Sequence, residues 1–253
     1  MTGVSSSEIR THRSQITIRS VQDASRWLGI LSENPEGPNT VHSLHISEAE
    51  SFPSLLTWPK LENLHHLELR DIDFRDPHEP LTPFLKTYGS SVDELVLEGL
   101  RFHGADELFA LIAPFKNLTS LAIHDAQWGN EELLDADDET ESGSKFDSED
   151  ETHKHAMQPG NCCSLANVGL HPEDGKDIDL PYLKHLSLRG CSSTIAEHLT
   201  TMPSGLSLSR LEISWEDEHL LPLGKMIEAC ALSLSELSIS GVFHTGKPYG
   251  LKW

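Results

Sequence analysis

The chain has 253 residues, 37% of them hydrophobic and 6% aromatic, and its 40 Asp and Glu against 19 Lys and Arg give a formal charge of −21. Such a length holds one large domain or two small ones. The acidic balance argues against nucleic-acid phosphates and anionic membrane surfaces, both of which need a basic face, and favours a basic protein partner. The cysteines Cys162, Cys163, Cys191 and Cys230 follow no framework spacing, which points to a reducing compartment, cytoplasmic and/or nuclear. No segment reads as a signal core, and no apolar run approaches the ~20 residues of a membrane span.

From the N-terminus onward one template recurs: apolar, two residues, apolar, one residue, apolar. A weak first copy uses Ile16 and Ile18, and a helical stretch follows from Asp23 to Leu31. Val41-Leu44-Ile46 comes next, then Leu64-Leu67-Leu69 with Ile72 and Phe74 behind it. Val92-Leu95-Leu97 is followed by Leu100 and Phe102 and by a helical stretch from Ala105 to Ala113. Leu118-Leu121-Ile123 leads to Ala126 and Trp128. Past an acidic stretch, Leu183-Leu186-Leu188 precedes a helix from Thr194 to Met202, with Ser193 or Thr194 able to cap it and Pro203 after its end. Leu208-Leu211-Ile213, a helix from Leu220 to Cys230 and Leu234-Leu237-Ile239 complete the series. The tail, too short for a capping helix pair, offers Val242, Phe243, Tyr249 and Trp253 to cover the exposed end.

The middle residues of successive copies lie 28, 23, 28 and 26 apart from Ile16 to Leu121, and 25 and 26 apart from Leu186 to Leu237. Alternation such as Leu67-Glu68-Leu69 puts leucines on one side of a short strand and polar residues on the other. One such unit cannot bury its own leucines, whereas stacked neighbours can. The pattern resembles the leucine-rich-repeat superfamily, whose units run about 20–29 residues. It predicts an α/β fold: a right-handed solenoid of about eight irregular repeats over residues 1–253, with a curved parallel sheet and helices on the convex side. An ordinary α/β domain with leucine-rich strands is the alternative. The Asn or Cys usual three residues after the last strand leucine is Ile72, Leu100, Ala126, Cys191, Glu216 and Val242 here. Only Cys191 conforms, so no asparagine ladder is expected and the curvature should be irregular.

The step from Leu121 to Leu186 is 65 residues and contains the acidic insertion, residues 130–178. Glu131 to Glu151 holds eleven acidic residues and one lysine, Lys145, a composition expected to stay unfolded. Ser144 and Ser148 each have an acid three residues on, Asp147 and Glu151, as acid-directed kinases favour. Leu165-Val168-Leu170 mimics the template but lies 18 residues before the next copy and reads as irregular connection. His153, His155, Cys162 and Cys163 offer zinc donors at a spacing that matches no common finger or ribbon. No G-x-S-x-G elbow, phosphate loop or H-E-x-x-H helix is present, so the reading is a non-enzyme without metal or cofactor.

Strand alternation assigns the outward residues of the concave face. Candidate partner contacts are Arg19, His45, His66, Glu68, Arg70, Glu94, Glu98, His124, His185, Arg189, Arg210 and Glu212. His45, Glu68, Val96, Ala122, Ser187 and Glu212 should form one row across the strands.

The segments ITIRSVQDASRWLGILSENPEGPNTVHSLHI, LHHLELRDIDF and FKNLTSLAIHDAQW resemble the repeat region of fungal F-box proteins, particularly those abundant in mushrooms. That resemblance implies a protein-binding module, the target-recognition half of a ubiquitin-ligase subunit, acting as a monomer through its concave face. The F-box helix cluster itself is read as absent. A second resemblance, to acidic leucine-rich nuclear phosphoproteins, implies instead a chaperone that holds basic proteins such as histones on the acidic tract.

Overall fold

Each leucine triplet becomes a short strand, because alternate residues find a leucine neighbour on one side and water on the other. The computed structural model describes residues 15–75, 81–128, 179–191, 193–215, 220–242 and 248–252. Its strands are β1 (Gln15–Ile18), β2 (Ser43–Ile46), β3 (His66–Arg70), β4 (Glu94–Glu98), β5 (Arg101–Phe102), β6 (Ser120–His124), β7 (Gln127–Trp128), β8 (His185–Arg189), β9 (Arg210–Trp215), β10 (Glu236–Val242) and β11 (Pro248–Lys252). Its α-helices are α1 (Val21–Glu33), α2 (Phe52–Leu55), α3 (Leu81–Tyr88), α4 (Ala105–Ile112), α5 (Ser193–Thr200) and α6 (Leu220–Cys230).

One nine-stranded sheet has the order β1-β2-β3-β4-β6-β8-β9-β10-β11. The first eight run parallel, and β11 turns back antiparallel along β10. Every crossover between the parallel strands advances one place in the same direction. β5 and β7 form a separate two-stranded ribbon just beyond β4 and β6.

Two leucine-type rows run across the sheet in register. Ile16, Leu44, Leu67, Leu95, Leu121, Leu186 and Leu211 form one, and Ile18, Ile46, Leu69, Leu97, Ile123, Leu188 and Ile213 the other. All fourteen are buried, as are Val41, Leu64, Val92, Leu118, Leu183 and Leu208 ahead of them. Burial of each such side chain contributes about 1.5–3 kcal/mol, and only the adjoining unit makes it possible. The gain fades at the last parallel strand, where Leu234 and Leu237 are only partly buried.

The return segments close the core from behind. Ser20 Oγ accepts from Asp23 N–H at 3.2 Å and caps the start of α1, and Asp23 Oδ2 accepts from Arg19 N–H at 3.1 Å just ahead of it. α1 contacts α2, α2 contacts α3 and α5 contacts α6. Phe52 on α2 meets Phe84 on α3 at 5.2 Å between ring centres, and Phe84 meets Tyr88 at 5.0 Å. α5 already includes Ser193 and Thr194, so neither is its cap. The residue that precedes α5 lies outside the described residues.

Backbone bonds repeat from unit to unit. The His42 carbonyl accepts from both His65 and His66 N–H, the His65 carbonyl from Asp93 and Glu94, and the Asp93 carbonyl from Thr119 and Ser120. Thr119, Lys184 and Ser209 carbonyls continue the pattern. At the other end of the strands Asp71, Gly99, Asp125 and Gly190 all adopt positive φ, between 50° and 63°. Each passes its N–H to a carbonyl at the end of the next strand, as Asp71 does to Glu98 at 2.9 Å and Gly190 to Ser214 at 3.2 Å.

Among the described residues no asparagine ladder forms. Ile72, Leu100 and Ala126 are buried apolar residues at that position, and backbone bonds take over the polar work: Arg101 N–H donates to Ile72 O at 3.1 Å and Gln127 N–H to Leu100 O at 2.9 Å. Cys191, the one conforming residue, donates its thiol to Ile123 O at 3.0 Å.

β6 and β8 pair directly, Leu121 with Leu186 and Ile123 with Leu188, across the over-long step. The insertion at 130–178, Ser144, Ser148, the Leu165-Val168-Leu170 mimic and the donors His153, His155, Cys162 and Cys163 lie outside the described residues. So do Phe243 and Trp253 and the side chains of Val242 and Tyr249; what is described of the tail is strand β11 along β10. Among the described residues no helix is long and apolar enough to cross a membrane.

Candidate functional site

The register of the sheet places the outward residues in rows. Thr17, His45, Glu68, Val96, Ala122, Ser187, Glu212 and Ser238 form the central row, as alternation predicts. Ser43, His66, Glu94, Ser120, His185, Arg210 and Glu236 lie on one side of it. Arg70, Glu98, His124 and Arg189 lie on the other. All are at least partly exposed except Glu68, which is 5% exposed. Glu68 does point to the open face, but its neighbours cover it.

Those neighbours make a dense polar cluster on β2 and β3. Glu68 Oε1 accepts from Arg70 Nε, and Arg70 reaches on to Glu98 Oε2 at 3.1 Å. Glu68 Oε2 is in contact with His45 Nδ1 and lies 3.8 Å from His66 Nε2. The outer nitrogens of both rings are also held. His45 Nε2 is 2.8 Å from Ser43 Oγ and 3.0 Å from Gln15 Nε2, and His66 Nδ1 is 2.9 Å from Glu94 Oε2. The two rings tilt against each other with centres 5.3 Å apart.

Electrostatics follow from this packing. Burial holds His45 below its ordinary pKa, against the pull of the Glu68 charge. The Glu68 hydrogen bond raises Arg70 further, so the guanidinium stays charged. Beside the cluster a cleft of about 460 Å³ opens, lined by Gln15, Thr17, Arg19, His45, Glu68, Arg70 and Asp71 among others.

The structure therefore brings His45, His66, Glu68, Arg70, Glu94 and Glu98 together, with Arg19 on the cleft wall. The remaining candidates stand apart. Arg189 shares a row with Arg70 but is three strands away, about 14 Å. It has no ion pair among the described residues. Arg210 bridges Glu212 at 3.3 Å and Glu236 at 2.9 Å, His124 Nε2 lies 3.0 Å from Ser187 Oγ, and His185 is exposed. Gln15 and Ser43 were legible as outward residues, but not as supports for a histidine. That role depends on neighbouring strands and leaves no motif in the chain.

Two imidazole nitrogens facing one buried carboxylate oxygen form a donor set of the kind that holds a proton or a cation. Comparison of the chain with protein-family models, with curated proteins and with solved structures gives no match in any of the three.

Proposed function

We propose that the chain is a leucine-rich-repeat module that binds a protein partner through the open face of its sheet and performs no catalysis. The observation that supports this is the sheet itself: eight parallel strands in chain order, one face buried in the core on all but the last of them, the other presenting rows of side chains. Repeat proteins use such extended surfaces for recognition. Charges of both signs ring a small apolar spot at Val96 and Ala122, an arrangement suited to a partner with a complementary pattern. The target-recognition half of F-box ubiquitin-ligase subunits is a functional analogue that the sequence suggests.

The test is affinity capture with the full chain, followed by binding measurement on the recovered partner. Arg189→Glu changes an exposed side chain that has no ion pair among the described residues, so the fold should survive. Binding is expected to weaken about tenfold, ~1.4 kcal/mol. Deletion of residues 131–151 is expected to leave it intact. If only that deletion abolishes binding, and the partner is basic, the acidic-chaperone reading replaces this one.

A further inference from the structure

We propose that His45 Nδ1, His66 Nε2 and Glu68 Oε2 form a binding site for a zinc-class divalent transition-metal ion, with its remaining coordination position open to the cleft. The three donor atoms all lie within 4.8 Å of one another. Zinc bonds of about 2.0–2.2 Å hold neighbouring donors roughly 3.3 Å apart in a tetrahedral site, so no donor must travel more than about 1.5 Å. Side-chain rotation covers that distance while β2 and β3 stay paired. The contact between His45 and Glu68 opens as the ion enters.

The second sphere is already in place. A metal-bound histidine typically passes its other N–H to a carboxylate, a carbonyl or another oxygen, which fixes its tautomer and raises its basicity. Here His66 Nδ1 has Glu94 Oε2 at 2.9 Å, and His45 Nε2 has Ser43 Oγ at 2.8 Å, to which it donates once the Gln15 amide 3.0 Å away turns its oxygen toward the ring. Arg70 occupies Glu68 Oε1 and so leaves Oε2 for the ion. Glu68, Glu94 and Glu98 against Arg70 leave the site net negative, which suits a dication. Two imidazoles and one carboxylate suit zinc far better than magnesium or calcium, which take mostly oxygen ligands.

The experiment uses the full chain, stripped with chelator and titrated with Zn(II) by calorimetry and with Co(II) by visible absorption. One equivalent should bind, with cobalt d–d bands and no sulfur charge-transfer absorption. Zinc should also raise the melting temperature. The His45→Ala/His66→Ala variant, checked for fold by circular dichroism, should lose the bands and the thermal shift. Glu94→Gln should weaken binding by about 10–100-fold, as second-sphere changes do. A variant with His153, His155, Cys162 and Cys163 replaced should bind as the parent does. The proposal is overturned if no stoichiometric ion binds, if binding persists without His45 and His66, or if it disappears with the four distant donors. The cluster is then an ion-pair network only.

Discussion

Gly99 is the sharpest place to test the repeating turn. It follows β4 with φ +63°, and a Cβ built on it would stand 2.5 Å from Asp71 Oδ1 of the preceding unit. Gly99→Ala therefore carries two separable costs. The left-handed backbone costs a non-glycine residue about 1–2 kcal/mol. Moving the Asp71 carboxylate off its rotamer costs about 0.5–1.5 kcal/mol more. The expected loss is about 2–3 kcal/mol, and at ~2–4 °C per kcal/mol for a chain of this size the melting temperature should fall by roughly 4–12 °C. Equilibrium urea unfolding followed by circular dichroism measures it. Asp71→Gly removes the obstructing carboxylate, so in that background Gly99→Ala should cost only the backbone part, a coupling of about 1 kcal/mol. An equal cost in both backgrounds refutes the carboxylate contact. A cost below about 0.5 kcal/mol, the ordinary surface range, refutes the left-handed turn itself.

Position in the stack should set the cost of a core truncation. Leu95→Ala, fully buried on β4, should lose about 2–5 kcal/mol, and Leu237→Ala, partly buried on β10, clearly less; equal losses would contradict the open end of the core. His45 should make the fold acid-sensitive, because burial lowers its pKa from the ordinary 6.5. Below about pH 6.5 the unfolded chain takes up a proton that the folded chain resists, so stability falls as pH drops from there toward the folded value. Measured with chelator present, His45→Gln should flatten that limb, and an unchanged slope would argue against it. Burial pushes the Cys191 thiol up to about 11 and raises Cys230 in the same way. Neither should react with iodoacetamide at neutral pH until denaturant is added, as peptide mapping would show.

The strands were legible because two signals coincide at each of them. Leu67 and Leu69 alternate with His66, Glu68 and Arg70, and the same triplet returns at nearly constant spacing. Register followed directly, since any one-residue slip would bury Glu68 and its row in place of the leucines. The short helices were harder. α2 holds only Phe52–Leu55, too few residues for helical periodicity, and α3 is defined mainly by what Phe84 and Tyr88 pack against. The β5–β7 ribbon showed only as paired apolar residues, Leu100 with Phe102 and Ala126 with Trp128, with nothing to indicate that they would bond to each other. The cluster around Glu68 was hidden for a different reason. Alternation counts Glu68 as a solvated residue, and it becomes buried only once Arg70, His45 and His66 fold over it from two strands. That is a property of side-chain rotamers across a register, and no spacing along one chain encodes it.

The pairing of β6 with β8 has an engineering consequence. These strands meet edge to edge whatever number of residues separates them in the gene, and lengthening a tether costs only ~0.6 kcal/mol per doubling. This seam is therefore the natural splice point for a reporter or an affinity handle. Cargo placed there should leave the ribbon of strands continuous, whereas the same cargo within α3, between β3 and β4, would disturb the packing of Phe84, Leu85 and Tyr88.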